Sequence, residues 1–250
     1  MTQIVSYIQA VELVEPPVRR GGEDQGPPPA FQSVAQAVAI GPQLTEFSDK
    51  VPQSLRPAIS NGLLLGQLAA DKATLGQNDP WAWFTTFNGV MTKIGWLGTV
   101  SEVNEQVISD KNAELHKAII PIVTAVFGPA AAAGSIILAV LNGLDSMSAD
   151  APWITLFERK TNNVRAAKFG LSYVDGGDGG GANLKTVYFA LEGSRILTQV
   201  LLFKFSTSDA KIKSAQSQMT LSTDTIAQTG ATLEQKVAPF IVENIKNIDI

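Results

Sequence analysis

The chain has 250 residues, 45% hydrophobic and 17% charged, with a formal net charge of −4, one histidine and no cysteine. That is enough apolar residue to bury one large core or two small ones, while the lack of any basic cluster removes the Lys/Arg footprint that nucleic-acid binding depends on. Without cysteine there is no disulfide, thiolate nucleophile, cysteine-ligated metal or lipid thioester.

From the N-terminus, Met1 to Val14 carries an apolar pattern of short period. Pro16 to Ala30, with Arg19-Arg20-Gly21-Gly22 and Pro27-Pro28-Pro29, cannot be helical. Residues 1–30 therefore read as an extended arm or linker ahead of a single domain over 31–250. The start of the chain lacks the basic end, apolar centre and small-residue cleavage site of a signal peptide. The expectation is a protein that is either cytoplasmic in its producer or released by lysis or a leaderless route.

Residues 31–148 read as mainly helical. Phe31, Val34, Ala35 and Val38 share one helical face, as do Ile59, Leu63 and Gly66. Trp81 to Trp96 reads instead as a β-hairpin around Asn88-Gly89, with its tryptophans either core or interfacial anchors. The capping box Thr99-x-x-Glu102 predicts a helix with Val103 and Val107 on one stripe, kinked or restarted at Pro121.

Ala118 to Leu144 is a run of 27 residues without a charge, interrupted by Gly128-Pro129. Glycine closes a helix and proline opens the next, so the run predicts helix, turn, helix, each arm too short to span a bilayer alone. Such a hairpin suits either a buried core layer or membrane insertion.

From Trp153 the period becomes two. Strands are predicted at Trp153 to Arg159, Arg165 to Val174, Leu184 to Leu191, Ile196 to Phe205 and Ala210 to Leu221. Short connections imply antiparallel order. Ile196 to Phe205 is apolar on both faces and needs a layer on each side, whereas the more polar Ala210 to Leu221 reads as an edge or solvent-facing strand. Leu233, Val237, Phe240, Ile241 and Ile245 define a final helix with Pro239 as a kink. The expected fold class is α/β (α+β): an antiparallel sheet from 149–250 covered by helical hairpins from the N-terminal half and by the C-terminal helix.

The runs Trp153 to Thr161, Val187 to Ala190, Gln199 to Phe205 and Ser208 to Lys213 resemble the sheet half of the Cyt-type cytolytic delta-endotoxins, to which mushroom volvatoxin and the Evf-type virulence factor are similar in fold. The resemblance implies helical hairpins over a sheet, direct lipid binding, and oligomers that permeabilise membranes without an enzymatic step. The Evf-type members carry an acylated cysteine, and this chain has none, so lipid here would bind non-covalently.

Other chemistry is thin. His116 is the only histidine and reads as a structural residue in a helix, so no catalytic triad or enzyme activity is expected. Asp175 to Asn183 has neither calcium-loop spacing nor a following helix to hold phosphate, so no cofactor or metal is expected.

The leading expectation is a membrane-binding cytolytic protein, pore-forming or membrane-disrupting. Its lipid-facing residues would be Ile119, Ile120, Val123, Phe127, Ile136, Ile137, Leu138, Leu141, Leu201 and Phe203, its partners membrane lipid and further copies of itself on the membrane, with no nucleic acid. The alternatives are a non-covalent lipid or fatty-acid binding protein of virulence type, and a structural module that joins an assembly by strand addition.

Overall fold

The computed structural model describes residues 3–16, 29–77, 79–108, 113–163, 166–192, 200–202 and 210–248. In chain order the elements are α1 (Gln3–Ala10), β1 (Gln36–Ile40), β2 (Gln43–Phe47), α2 (Arg56–Ala73), α3 (Pro80–Lys93), β3 (Leu97–Val100), β4 (Asn104–Ile108), α4 (Leu115–Phe127), α5 (Pro129–Ala132), α6 (Ile136–Gly143) and α7 (Pro152–Thr161). There follow β5 (Asn162–Asn163), β6 (Ala166–Gly176), β7 (Ala182–Glu192), β8 (Ala210–Leu221), α8 (Thr223–Val237), α9 (Ile241–Asn244) and β9 (Ile245–Asn247).

One sheet runs through the molecule in the order β3-β8-β7-β6-β2-β1-β9, with β4 also on β8 and β5 on β6. Its centre is the antiparallel ladder β6-β7-β8, with Phe169 opposite Phe189, Leu171 opposite Val187 and Val187 opposite Gln216. β2 pairs with β6 in parallel, and the other described pairs are antiparallel.

The strand period of two sorts the sheet's side chains into two cores. Val38, Ile40, Val174, Leu184 and Tyr188 point into a cluster with α2, α3 and α8. Ala37, Ala39, Phe169, Leu171, Val187 and Phe189 point the other way, into a cluster with α4, α6 and α7. The result is helices, sheet, helices: an α/β protein with helices packed on both faces of one sheet. α2 comes close to α3 at Gly66, where a Cβ would stand 2.9 Å from the Phe87 ring.

Of Arg165 to Val174, the described residues from Ala166 form a strand as predicted, as do Leu184 to Leu191 and Ala210 to Leu221, and the Gly128-Pro129 break separates two helices. Several elements differ. The region read as helical at Phe31 to Val38 instead feeds β1, because Gly41 (φ 53°) and Pro42 form the two-residue turn that closes the β1-β2 hairpin. Trp81 to Trp96 is not a hairpin. Asp79 caps α3 by accepting from the Trp81 amide at 2.8 Å, Pro80 starts it, and Trp83, Phe87 and Met91 form a buried helical stripe that overrides Asn88-Gly89.

Thr99 to Val107 is not a helix either. β3 and β4 lie end to end along β8, so β8 is internal to the sheet rather than at its edge; its Ser214 and Ser217 are buried, while Gln216, Gln218 and Thr220 face solvent, as a solvent-facing strand would. Trp153 to Arg159 is α7, opened by Pro152, with Trp153, Leu156 and Phe157 buried at helical spacing. Of Ile196 to Phe205, residues 200–202 form a turn and the rest lies outside the described residues. The N-terminal arm is partly structured: α1 packs on α8 and buries Ile8. The final helix begins earlier than expected, at Thr223, and Pro239 ends it in a 3-10 turn.

Candidate functional site

The uncharged run becomes a lid on one face of the sheet. On α4, Leu115, Ile119, Val123 and Phe127 recur every four residues and are all buried. Each such side chain contributes roughly 1.5–3 kcal/mol through burial. Gly128 (φ 88°) turns the chain, and Ser135 caps α6 by accepting from the Leu138 amide at 3.2 Å. Ile137, Leu138, Val140 and Leu141 then face the sheet.

The structure brings Ile119, Val123, Phe127, Ile137, Leu138, Leu141 and Leu201 into one cluster against Phe169, Leu171, Val187 and Phe189. Ile120 and Ile136 pack at its margin, half-buried. Phe203 lies outside the described residues. The outer side of α4 exposes Pro121 and Ala125 and leaves Ile122 and Val126 half-buried, so the helix carries apolar residues around most of its circumference.

Two polar ties, one buried and one part-buried, which sequence reasoning did not find, hold the turn end of the lid. The Glu46 carboxylate, 2% exposed, accepts from the Ser135 hydroxyl at 2.6 Å and the Ile137 amide at 3.0 Å, placing a negative charge at the start of α6. Lys185 donates to the Phe127 carbonyl at 3.0 Å, at the last turn of α4. No pattern in the strands marks Glu46 or Lys185, because their partners are 89 and 58 residues away in the chain, respectively. At the open end the His116 Nδ1 lies 3.1 Å from the Leu201 carbonyl. Glu114, His116 and Asp145 place one ligand atom each within 4.8 Å of one another there.

The opposite face of the same ladder is built differently. Ser172, Thr186 and Ser217 lie in one register row across β6, β7 and β8. The Ser172 and Thr186 hydroxyls are hydrogen-bonded at 2.7 Å, Gln43 donates to Ser172, and Gln67 donates to Gln43 at 3.2 Å. Tyr188 donates to Asn88 Oδ1 at 2.9 Å, and burial pushes its phenol pKa well up. Lys168 stands 4.3 Å from the Trp83 ring centroid and 3.2 Å from Asp71 Oδ1, its pKa lowered by burial. β6 and β7 thus turn an apolar face to the lid, β8 adds Ser214, Gln216 and Gln218 to that face, and the opposite face carries a polar seam under α2 and α3.

Trp83, Phe84 and Trp96 are core, and Trp81 is half-buried. Trp81 and Phe84 wall a groove of about 300 Å³ between α3 and the β3-β8 edge, with Val100, Val103 and Met219 opposite. Among the described residues, no helix is long and apolar enough to cross a membrane.

No family model matches the chain, and no curated protein matches it. Among solved structures it is similar to the Evf virulence factor, at 9% identity and a TM-score of 0.44 over 99% of this chain and 92% of that one. It is also similar to a delta-endotoxin, at 11% identity and a TM-score of 0.36 over 85% and 91%. A third likeness is to the activated Cyt2Ba monomer from Bacillus thuringiensis subsp. israelensis, at 9% identity and a TM-score of 0.32 over 71% and 96%. The resemblance stated from the sheet motifs is therefore met again among solved structures.

Proposed function

We propose that this chain binds membranes directly and permeabilises them without an enzymatic step, by releasing the α4-α6 lid from the sheet. The observation that carries this reading is the pairing of the lid's uncharged run, Ala118 to Leu144, with the apolar face that β6 and β7 turn to it. β6, β7 and β8 have 11, 11 and 12 residues. At about 3.3 Å per residue and a tilt of roughly 45°, each reaches across most of a bilayer core of about 30 Å. Once uncovered, Phe169, Leu171, Val187 and Phe189 would face lipid, while Ser172, Thr186, Ser217 and Lys168 on the other face would suit water. The lid's own residues, Ile119 to Leu141, would lie at the bilayer surface with their apolar faces in the acyl region.

The test is dye release from liposomes of anionic and of neutral lipid by a variant carrying one cysteine on α4 and one on β7, elements that pack together. The natural chain has no cysteine, so the pair forms the sole disulfide. Leakage by the reduced form and its loss in the oxidised form are expected. Equal leakage by both forms removes the lid from the mechanism, and no leakage or liposome binding by the natural chain overturns the reading.

A second reading, non-covalent binding of a lipid or fatty acid, is favoured by the groove at Trp81, Phe84, Val100 and Met219, which has room for part of an acyl chain. It expects a fatty acid to bind in solution and no leakage.

A further inference from the structure

His116 has an unusual surrounding for a core histidine. Its side chain has no exposed surface, and its Nδ1 lies 3.1 Å from the Leu201 carbonyl. A carbonyl can only accept, so Nδ1 carries a proton, and Nε2 is the ring atom left to face the other way. That Nε2 is buried and has no hydrogen-bond partner. It points at two carboxylates, 3.7 Å from Glu114 Oε2 and 3.8 Å from Asp145 Oδ1. Two carboxylates that converge on one buried ring nitrogen favour a cation among them.

We propose that Glu114, His116 and Asp145 bind a divalent first-row transition cation such as zinc. Bonds of about 2.0–2.2 Å to nitrogen and oxygen in a tetrahedral site put ligand atoms roughly 3.3–3.6 Å apart. The 3.7 and 3.8 Å separations from His116 need only slight contraction, and the three ligand atoms, within 4.8 Å of one another, close further by rotation of the part-exposed Asp145 side chain. The Nδ1–H to backbone carbonyl bond is the arrangement that fixes the tautomer and orientation of a metal-binding histidine. Asp145, with half its side chain exposed, opens the site to solvent and leaves room for water as a further ligand. In the structure the Lys117 ammonium holds the cationic position, paired with Glu114 Oε2 and 2.8 Å from Asp145 Oδ2. Its side chain is 54% exposed and can swing out as the cation enters.

The location gives the site a consequence. Glu114 and His116 stand at the start of α4, Asp145 follows α6, and the histidine is tied to Leu201. A cation there clamps the open end of the hairpin, opposite the end held by Glu46 and Lys185. The site does not depend on the membrane reading.

The experiment is a zinc titration of the full chain after dialysis against a chelator, followed by calorimetry and by the nitrogen resonances of the imidazole. Since the chain has one histidine and no cysteine, a single ring reports directly. Saturable binding of one zinc is expected, with a shift at Nε2 and a raised melting temperature. Asp145→Asn, at a partly exposed position that the fold tolerates, should weaken binding by about tenfold or more, whereas Lys117→Met should strengthen it. No saturable binding, or binding that leaves Nε2 unshifted and is unaffected by Asp145→Asn, overturns the proposal.

Discussion

Tyr188 shows what burial does to one side chain. Its hydroxyl donates to Asn88 and lies 3.1 Å from Ser217, joining α3 to the sheet, and desolvation raises its pKa. The folded chain therefore keeps this proton above the ordinary phenol pKa, while the unfolded chain releases it. Its contribution to stability is full below that pKa and falls by up to about 1.4 kcal/mol per pH unit above it. Tyr188→Phe should cost about 1 kcal/mol at neutral pH, through the unpaired Asn88 oxygen, and should show less alkaline loss than the natural chain. Urea midpoints measured at about pH 8 and about pH 10.5 check both parts. Lys160 and Lys168, whose pKa values burial lowers, act with the opposite sign at alkaline pH in both proteins, so the difference between the two isolates the phenol. None of this is visible in the period-two pattern of β7, which marks Tyr188 as inward-facing without showing that Asn88 waits there.

The helix α4 is where local sequence and packing disagree most. Pro121 lies inside it, where it cannot donate to the carbonyl of Lys117, yet Leu115, Ile119, Val123 and Phe127 bury enough apolar surface to keep the helix continuous. The pyrrolidine ring faces solvent. Pro121→Ala should therefore restore a backbone hydrogen bond without emptying the core, and raise stability by about 1–3 kcal/mol in urea unfolding. An unchanged or lower midpoint shows that the ring itself packs. Elsewhere, element type was legible where caps and period agreed. Gly128-Pro129 was such a case. It was misread in windows of about seven residues such as Trp153 to Arg159, where alternation and helical spacing both place aromatic residues on one face, and only the contacts of Trp153, Leu156 and Phe157 decide.

For the whole molecule, the β3-β4 edge stands out. Leu97, Val100, Val103 and Val107 are each about half exposed or more along it. An apolar strand edge invites pairing with another chain, which on a membrane would be a further copy. Val103→Lys combined with Val107→Lys should leave stability within about 0.5 kcal/mol, since both residues are exposed, while reducing cross-linked oligomers on liposomes. Oligomers unchanged by the double substitution place the contact elsewhere.

The alternation of β6, β7 and β8, the helical break at Gly128-Pro129 and the absence of charge from Ala118 to Leu144 are local properties, and the sequence by itself determined them through the fixed periods of strand and helix. The tertiary structure alone decided that β8 lies inside the sheet, that the uncharged run covers one face of it while α2, α3 and α8 cover the other, and that Glu46, Lys185 and Leu201 meet the ends of the hairpin. Those are pairings between residues far apart in the chain, and a local period carries no information about which distant strand or carbonyl a residue will meet.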